Sequence, residues 1–240
     1  MCGRVIQKSS PDRLSLGVVE GLQAGSDNRF GNVPPRYNGA PGQDLWVIRR
    51  NPDGGERSLD LLRWGLIPHF FADRPKPPPI NARVETVGQK PMFRRAFAKR
   101  RCIVPVDGFF EWKSVAGGAK QPFAVAMADR APFGLAGLWE NWRDPASGEA
   151  VRTFCILTTR ANALMQPIHD RMPVILPPSA YEPWLANEPV PPDIFDPYPA
   201  EPMTLWPVST RVNAPKNDDP GVIAPMVQAD ASAPPDGNSA

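Results

Sequence analysis

The chain has 240 residues, of which 42% are hydrophobic and 22% charged, which is typical of one globular domain with a buried core. Its 32 prolines, about one residue in eight against an average usage of ~5%, argue against a helical bundle or a coiled coil. Since 27 basic and 25 acidic residues leave a net charge of +2, no whole-molecule field attracts nucleic acid or membrane, and any basic surface must be local.

The three cysteines, Cys2, Cys102 and Cys155, form no C-x-x-C pair, and neither His69 nor His169 is near one in sequence. This pattern argues against a disulfide framework and a zinc site, so we expect no metal, no cofactor and a reducing, cytoplasmic environment. The chain also has no apolar run of about 18 residues and no apolar run near its first residue. We therefore expect neither a membrane span nor a signal peptide.

Short apolar segments separated by turn residues recur along the chain. They predict strands at 45–48, 58–64, 102–106, 122–128, 133–139 and 153–158. Helices are predicted at 10–22, with Ser10 as N-cap and Pro11 at the first helical position, at 92–99, and in a short segment beginning at Ser179. The expected class is α+β: a mostly antiparallel sheet or a partly closed β-barrel, with a few peripheral helices.

Three stretches show neither strand nor helix patterning. Residues 75–79 (PKPPP) predict a stiff extended connector, and residues 189–207 predict a proline-rich surface loop. From Asp218 onward the chain has four Asp and no Lys or Arg. We therefore expect one domain at 1–228, followed by a disordered acidic tail at 229–240.

Cys2 is the first candidate for chemistry, because it is followed by a glycine and becomes the N-terminal residue if Met1 is removed. An N-terminal cysteine has an α-amine with a reference pKa of ~7.7 to 8.0 beside a thiol of ~8.5, so it offers two nucleophiles. The amine can condense with an aldehyde to an imine, and the thiol can then close a thiazolidine ring. The alternative is a cysteine present by chance at a frayed terminus.

Positive charge is concentrated at residues 94–101, which contain five cations and no acid, and Arg83 and Lys90 precede them. Such a run could neutralise several phosphates, although a solvated helix face is the commoner explanation. The segment 81–86 just upstream could place an amide and a guanidinium side by side against a phosphate.

Two further motifs contain titratable side chains. Glu111 lies between aromatic residues in DGFFEW, where partial desolvation would suit its carboxyl group to proton transfer. The alternative is a glutamate at a strand end that points to water. His169 lies in IHDRMP beside Asp170 and Arg171, and a histidine and an arginine two residues apart in an extended segment can face one site. A structural role is the alternative for His169.

Together these segments resemble the SRAP family, the abasic-site-processing proteins first named SOS-response-associated peptidases, over about residues 2–228. The resemblance rests on the order of the following segments: MCGR (1–4), RYN (36–38), AP (40–41), WGLIP (64–68), NARVET (81–86), RCIVPVDGFFEW (101–112), AGLW (136–139), TTRAN (158–162), IHDRMPVIL (168–176), PVS (207–209), VN (212–213) and ND (217–218).

The resemblance implies an abasic-site sensor that acts in the DNA damage response. The mature N-terminal cysteine would form a covalent thiazolidine crosslink to the aldehyde of an abasic site in single-stranded DNA or at a junction with duplex, and so protect the lesion. Lyase and autoproteolytic activities, a monomeric state and association with the nucleoid are implied as well. By motif, Cys2 is the nucleophile, Glu111 the acid/base group, His169 the residue that assists opening of the sugar, and Asn81 the residue that holds the lesion.

The resemblance also implies DNA contacts. Arg83 and Arg171 match phosphate-binding arginines. Further contacts are implied at Arg4, Lys90, Trp112 and Thr158. Pro41, Phe70 and Phe71 stand where the family inserts a wedge that unstacks the flanking bases. Tryptophan is usual in the region of the two phenylalanines, and tyrosine is common where this chain has Phe110.

Two other functions compete with this interpretation. Class II glutamine amidotransferases also begin with Met-Cys-Gly and use the freed cysteine on an amide, but they need a glutamine pocket and an oxyanion hole, whose patterns this sequence lacks. A non-catalytic single-strand-binding module would use the same aromatics and arginines and form no covalent bond.

Overall fold

The structure is a computed structural model and describes residues 2–19, 33–52, 54–186, 189 and 191–226. Its strands are β1 (Arg4–Gln7), β2 (Arg36–Gly39), β3 (Asp44–Arg50), β4 (Arg57–Trp64), β5 (Asn81–Arg83), β6 (Arg101–Val106), β7 (Gly108–Ser114), β8 (Lys120–Met127), β9 (Phe133–Arg143), β10 (Ala150–Arg160), β11 (Arg171–Pro173), β12 (Ile175–Leu176) and β13 (Met203–Pro207). Its α-helices are α1 (Pro11–Leu14), α2 (Val84–Val87), α3 (Pro91–Lys99) and α4 (Tyr181–Leu185). Short 3₁₀ turns lie at Ala116–Gly118, Pro178–Ala180, Pro192–Phe195, Thr210–Asn213 and Pro220–Ile223.

Five strands close into a barrel in the order β4, β3, β6, β9 and β10, because β10 pairs with both β9 and β4. The β4–β10 contact is parallel and short, and the other four are antiparallel. A second, antiparallel sheet has the order β13, β8, β7, β1 and β2. The predicted α+β class with a mostly antiparallel, barrel-like core is therefore confirmed.

The two faces of β6 explain why all six of its residues are buried. Val104 and Val106 pack in one cluster with Phe109 of the second sheet, whereas Ile103 packs in another with Phe93 of α3. Successive side chains of a strand point to opposite faces, so a strand covered on both sides is apolar throughout. Each such aliphatic side chain contributes about 1.5 to 3 kcal/mol on burial.

The six predicted strands all form, with ends that differ by up to four residues. The helix predicted at 92–99 forms as α3, and the segment at Ser179 is a 3₁₀ turn that leads into α4. The predicted helix at 10–22 is wrong in length: α1 ends at Leu14, because Leu16 and Gly17 adopt left-handed backbone angles, with φ of 53° and 71°. Its last three residues lie outside the described part of the chain.

Two further expectations concern the ends of the domain. The tail predicted at 229–240 lies outside the described residues, and a single domain at 1–228 stays a prediction.

Among the described residues, no helix is both long and apolar enough to cross a membrane.

Candidate active site

Cys2 lies just before β1 and is completely buried in the cluster where the second sheet packs against the barrel. Its backbone carbonyl accepts a hydrogen bond from Asn81 Nδ2 at 2.8 Å. Asn81 begins β5, which pairs in parallel with β10 at Ile156. The parallel pairing of a three-residue strand thus fixes the amide that holds Cys2.

The other end of the Asn81 side chain has an open hydrogen-bonding site. Its Oδ1 is buried and has no hydrogen-bond partner among the described residues. A buried acceptor without a donor costs about 1 to 3 kcal/mol, and in native proteins such an atom calls for an explanation. A donor on a bound ligand would satisfy it.

Glu111 lies in the middle of β7, opposite Phe123 of β8, and is buried. The alternative of a strand-end glutamate that points to water is therefore wrong. Burial and then the Glu111 carboxylate raise the pKa of the Cys2 thiol well above its ordinary value. The raised pKa favours the protonated thiol, and Glu111 is an acidic group close enough to contribute to it.

His169 lies in the loop before β11 with its side chain partly exposed. Its Nδ1 is 2.9 Å from the backbone nitrogen of Arg171, which donates, and 2.8 Å from Asp170 Oδ1. These two contacts cannot both be hydrogen bonds of the neutral ring, because Nδ1 then has either a lone pair or a proton. The amide can only donate, so the neutral ring has its proton on Nε2, and the Asp170 contact becomes a hydrogen bond when the ring is protonated.

Arg171 is held by neighbours on one helix and one strand. Its guanidinium forms a bidentate ion pair with Glu85 of α2, at 2.5 and 3.0 Å, and donates to the backbone oxygen of Thr158 at 2.5 Å. Thr158 itself is completely buried, and its hydroxyl donates a hydrogen bond to the backbone oxygen of Ala82. The backbone oxygen of Thr158 thus positions Arg171, and contact of Thr158 with DNA stays a prediction.

Arg83 is exposed at the end of β5, beside Thr158 in the ladder, and so lies on the opposite side of β10 from β11 and Arg171. The fold therefore brings the two predicted phosphate-binding arginines to the same end of β10. Lys90 is exposed immediately before α3.

Arg4 and Trp112 hold the C-terminal part of the chain. The Arg4 guanidinium donates to Asn38 Oδ1 at 2.8 Å and to the backbone oxygens of Val212 and Asn213 at 2.5 and 2.9 Å. Trp112 Nε1 donates to Asn213 Oδ1 at 2.8 Å. These contacts give both side chains a structural role, and DNA contact by either stays a prediction.

The three expected wedge residues occupy neighbouring turns. Pro41 is exposed after β2, and Gly42 N donates to the backbone oxygen of Trp64, where the loop 65–80 begins. In that loop the Phe70 ring is 54% exposed and packs edge-on against Phe71, 5.1 Å away between centroids. Phe70 is the more accessible of the two rings.

Sequence reasoning missed Glu85 and Glu140. Glu85 is the only acid in the segment 81–86, a signal that could have suggested an internal partner for an arginine. Glu140 is buried between Arg100, at 2.5 Å, and His69, at 3.3 Å. Nothing in its sequence surroundings marked it.

No group of three or more potential metal ligands occurs in the described part of the chain.

Comparison with known proteins decides the family. A model of the family described as SOS response associated peptidase (SRAP) matches residues 1–215. The chain belongs to the SRAP family. Its relatives include the abasic site processing protein YoqW of Bacillus subtilis (strain 168), 39% identical over 228 residues that cover 93% of this chain and 99% of YoqW.

Two further SRAP comparisons extend this result. The abasic site processing protein YedK of Escherichia coli (strain K12) is 32% identical over 232 residues, covering 94% of this chain and all of YedK (100%). A crystal structure of a protein from Bacteroides thetaiotaomicron superposes with a TM-score of 0.71 at 29% identity, covering 82% of this chain and 88% of that one. Membership in the SRAP family, over almost the whole chain, favours the resemblance over the amidotransferase alternative, which shares only the first residues.

Proposed function

We propose that this SRAP-family chain processes abasic sites by forming a thiazolidine crosslink between its N-terminal cysteine and single-stranded DNA. The observation that supports this most is the arrangement around Cys2: its carbonyl is held by Asn81, and the Glu111 carboxylate acts on its thiol. A non-catalytic binding module would need neither the Asn81 hydrogen bond nor a carboxylate near the thiol.

The proposed reaction begins when the sugar ring opens. The hemiacetal loses the proton of its C1′ hydroxyl while the ring oxygen gains one: the imidazolium form of His169 can give its Nε2 proton to the ring oxygen and recover a proton from the C1′ hydroxyl through water. The Cys2 α-amine then adds to the C1′ aldehyde, and loss of water gives an imine. Asn81 Oδ1, which has no partner among the described residues, can accept a hydrogen bond from the sugar or the amine.

Ring closure needs one proton to move from sulfur to nitrogen. As Cys2 Sγ bonds to the imine carbon, the thiol proton passes to Glu111, and a proton returns to the amine nitrogen. The net change from amine, thiol and aldehyde is the loss of one water. A raised thiol pKa makes a nearby base necessary, because little thiolate exists beforehand.

The remaining parts of the proposal concern context. Three cysteines without disulfides suit a reducing compartment, and we place the chain in the cytoplasm, at the nucleoid when it is bound to DNA, as a monomer. Single strands and junctions with duplex are the proposed substrates. Strand cleavage from the imine and removal of Met1 by the chain itself belong to the proposal as secondary activities.

Replacing Cys2 by serine separates the two nucleophiles and tests the proposed function. We expect Cys2→Ser to form an imine that borohydride traps, and to give almost no heat-stable adduct, because a hydroxyl closes the ring less readily than a thiol. Denaturing gels of samples with and without borohydride measure the trapped imine and the heat-stable adduct. Heat-stable adduct at the wild-type level would rule out the thiazolidine.

The phosphate-binding roles predict a salt effect. Arg83→Ala and Arg171→Ala should each weaken binding of DNA irrespective of sequence and reduce the slope of log K against log salt by about 0.7 for each lost phosphate contact. Fluorescence anisotropy over a salt series measures this. Arg143→Ala, which removes an exposed cation at the end of β9, is the matched control. If the salt slope is unchanged in both Arg83→Ala and Arg171→Ala, neither arginine contacts a phosphate.

The exposed aromatics predict a preference for unpaired DNA. Opening a duplex at the lesion costs a few kcal/mol, and every ~1.4 kcal/mol is a factor of about ten, so an abasic single strand should crosslink at least ~10-fold faster than an abasic site centred in a duplex. Phe70→Ala should narrow this difference by slowing the single-strand reaction, and Phe71→Ala should do so less, since its ring is less exposed. Time courses of crosslinking on oligonucleotides of matched sequence measure the two rates. Equal rates on single strand and duplex would contradict the role of these aromatics as a wedge.

A further inference from the structure

A strongly basic cavity of about 380 Å³ lies at the turn between β3 and β4, beside the end of α3. Five cations contribute to its wall: Arg50, Arg95, Lys99, Arg100 and Arg101. None of them belongs to the site around Cys2. We refer to this feature as the basic cavity.

The cations of the basic cavity differ in the partners that the described residues give them. Glu140 is buried and bound to Arg100 at 2.5 Å. For Arg50, Arg95 and Lys99, by contrast, no carboxylate lies within ion-pair distance among the described residues. Arg50 Nε instead donates to the backbone oxygen of Gly55, at 2.9 Å.

The three cations Arg50, Arg95 and Lys99, which have no carboxylate partner among the described residues, suit a phosphate group. Like charges this close repel one another, and a bound anion relieves that repulsion. Guanidinium groups present forked donors that match the oxygens of a phosphate, and an ammonium adds a point charge. The wall is polar, so an apolar ligand gains little there.

A nucleotide base finds no stacking surface in the basic cavity. Trp139 is the aromatic residue among the described lining residues, and it is almost completely buried. Arg49 lies over its ring at 4.7 Å, and Arg100 lies 5.6 Å from the ring centroid. A ligand there is therefore bound through phosphate rather than through a base.

The loop that contains the wedge aromatics also reaches the basic cavity. Arg95 donates to Nε2 of His69, and His69 Nδ1 lies 3.3 Å from Glu140 Oε1, so the ring bridges the cavity wall and the loop 65–80. His69 is followed directly by the exposed Phe70, with the two rings 5.3 Å apart. Phe70 and Arg95 therefore both contact the His69 ring, which places the exposed aromatic ring next to the basic cavity.

We propose that the basic cavity is a second phosphate site, which binds the backbone of the DNA segment flanking the lesion. This inference rests on the proposed function. The cavity adds affinity for DNA that extends beyond the reacting nucleotide, and it takes no part in the covalent step.

The test removes two cavity charges without touching the reacting groups. Arg50→Gln/Lys99→Gln is compared with Arg143→Gln/Lys120→Gln, which removes two exposed cations outside the cavity and gives the same net charge. Anisotropy is measured over a salt series with DNA that contains a tetrahydrofuran abasic analogue, which cannot crosslink. One oligonucleotide covers only the lesion and its nearest neighbours, and the other extends well beyond both sides.

We expect the cavity variant to lose about tenfold in affinity for the long DNA, with a salt slope lower by about 1 to 2, and to bind the short DNA as the wild type does. The control variant should change little with either DNA. An equal loss for the short and long DNA, or an equal loss in the control variant, would overturn the proposal.

A third arm distinguishes DNA backbone from free anion. Inorganic phosphate is titrated against both proteins while thermal unfolding is followed. If phosphate stabilises the wild type and not the cavity variant while affinity for long DNA is the same in both, the cavity binds a free anion and the proposal is wrong. Because the analogue cannot react, these results stand even if the crosslink at Cys2 fails to form.

Discussion

A variant with one glycine inserted between Met1 and Cys2 will bind abasic single-stranded DNA and form no thiazolidine. In this variant the Cys2 nitrogen is a peptide amide, whose lone pair is delocalised and not nucleophilic. A glycine amine set free by methionine removal can still form an imine, but the thiol is then too far along the chain to close a five-membered ring. The loss of heat-stable adduct should therefore be essentially complete.

The inserted glycine also provides its own control for binding. Anisotropy with the tetrahydrofuran analogue should show wild-type affinity, while denaturing gels with reactive abasic DNA show no heat-stable band and borohydride restores a trapped imine. If the glycine variant formed heat-stable adduct at the wild-type rate, the adduct could not depend on an amine and a thiol in the same residue.

Glu111→Gln should slow formation of the adduct by ~100-fold, the lower end of the range for general acid/base catalysis, with DNA binding nearly unchanged. The carboxylate can act electrostatically or by proton transfer, and its removal changes the rate of adduct formation in opposite directions in the two cases. Since the Glu111 charge raises the pKa of the Cys2 thiol, its removal lowers that pKa and increases the fraction of thiolate. A purely electrostatic role therefore predicts a faster reaction, and a proton-transfer role a slower one.

The Glu111→Gln experiment is a single-turnover time course at saturating protein, with binding measured separately on the analogue. Glu85→Gln provides a comparison, because it removes the acid that pairs with Arg171 and leaves the Cys2 surroundings intact. Acceleration in Glu111→Gln would assign the residue to electrostatics alone, and loss of DNA binding at unchanged reactivity would mean that its role is misassigned.

Much of the fold could be predicted from local patterns. Strands β3, β4, β6, β8, β9 and β10 have apolar or β-branched runs bounded by turn residues, and all were found. Strands such as β5 and β1, with sequences NAR and RVIQ, have no such pattern. They are strands because partners such as β10 and β7 supply the hydrogen bonds, which is information that local sequence does not contain.

The candidate site shows the same division. Cys2, Glu111 and Asn81 could be proposed from their chemistry and motifs, but their proximity follows from the pairing of β1 with β7 and from the packing of the second sheet on the barrel. Thr158 is a DNA contact by motif, and its burial follows from its place on β10 between β5 and β11, which local sequence does not contain. The pairing of Arg171 with Glu85 joins residues far apart in sequence, and no spacing rule predicts it.

The most direct measurement of the central claim is the intact mass of the product after the protein is mixed with abasic single-stranded DNA. We expect one heat-stable species whose mass is that of the chain without Met1 plus the DNA, less one water, and we expect Cys2→Ala to give none. If the mixture contained only unmodified protein and DNA, or if Cys2→Ala gave the same adduct, the crosslink through Cys2 would be contradicted.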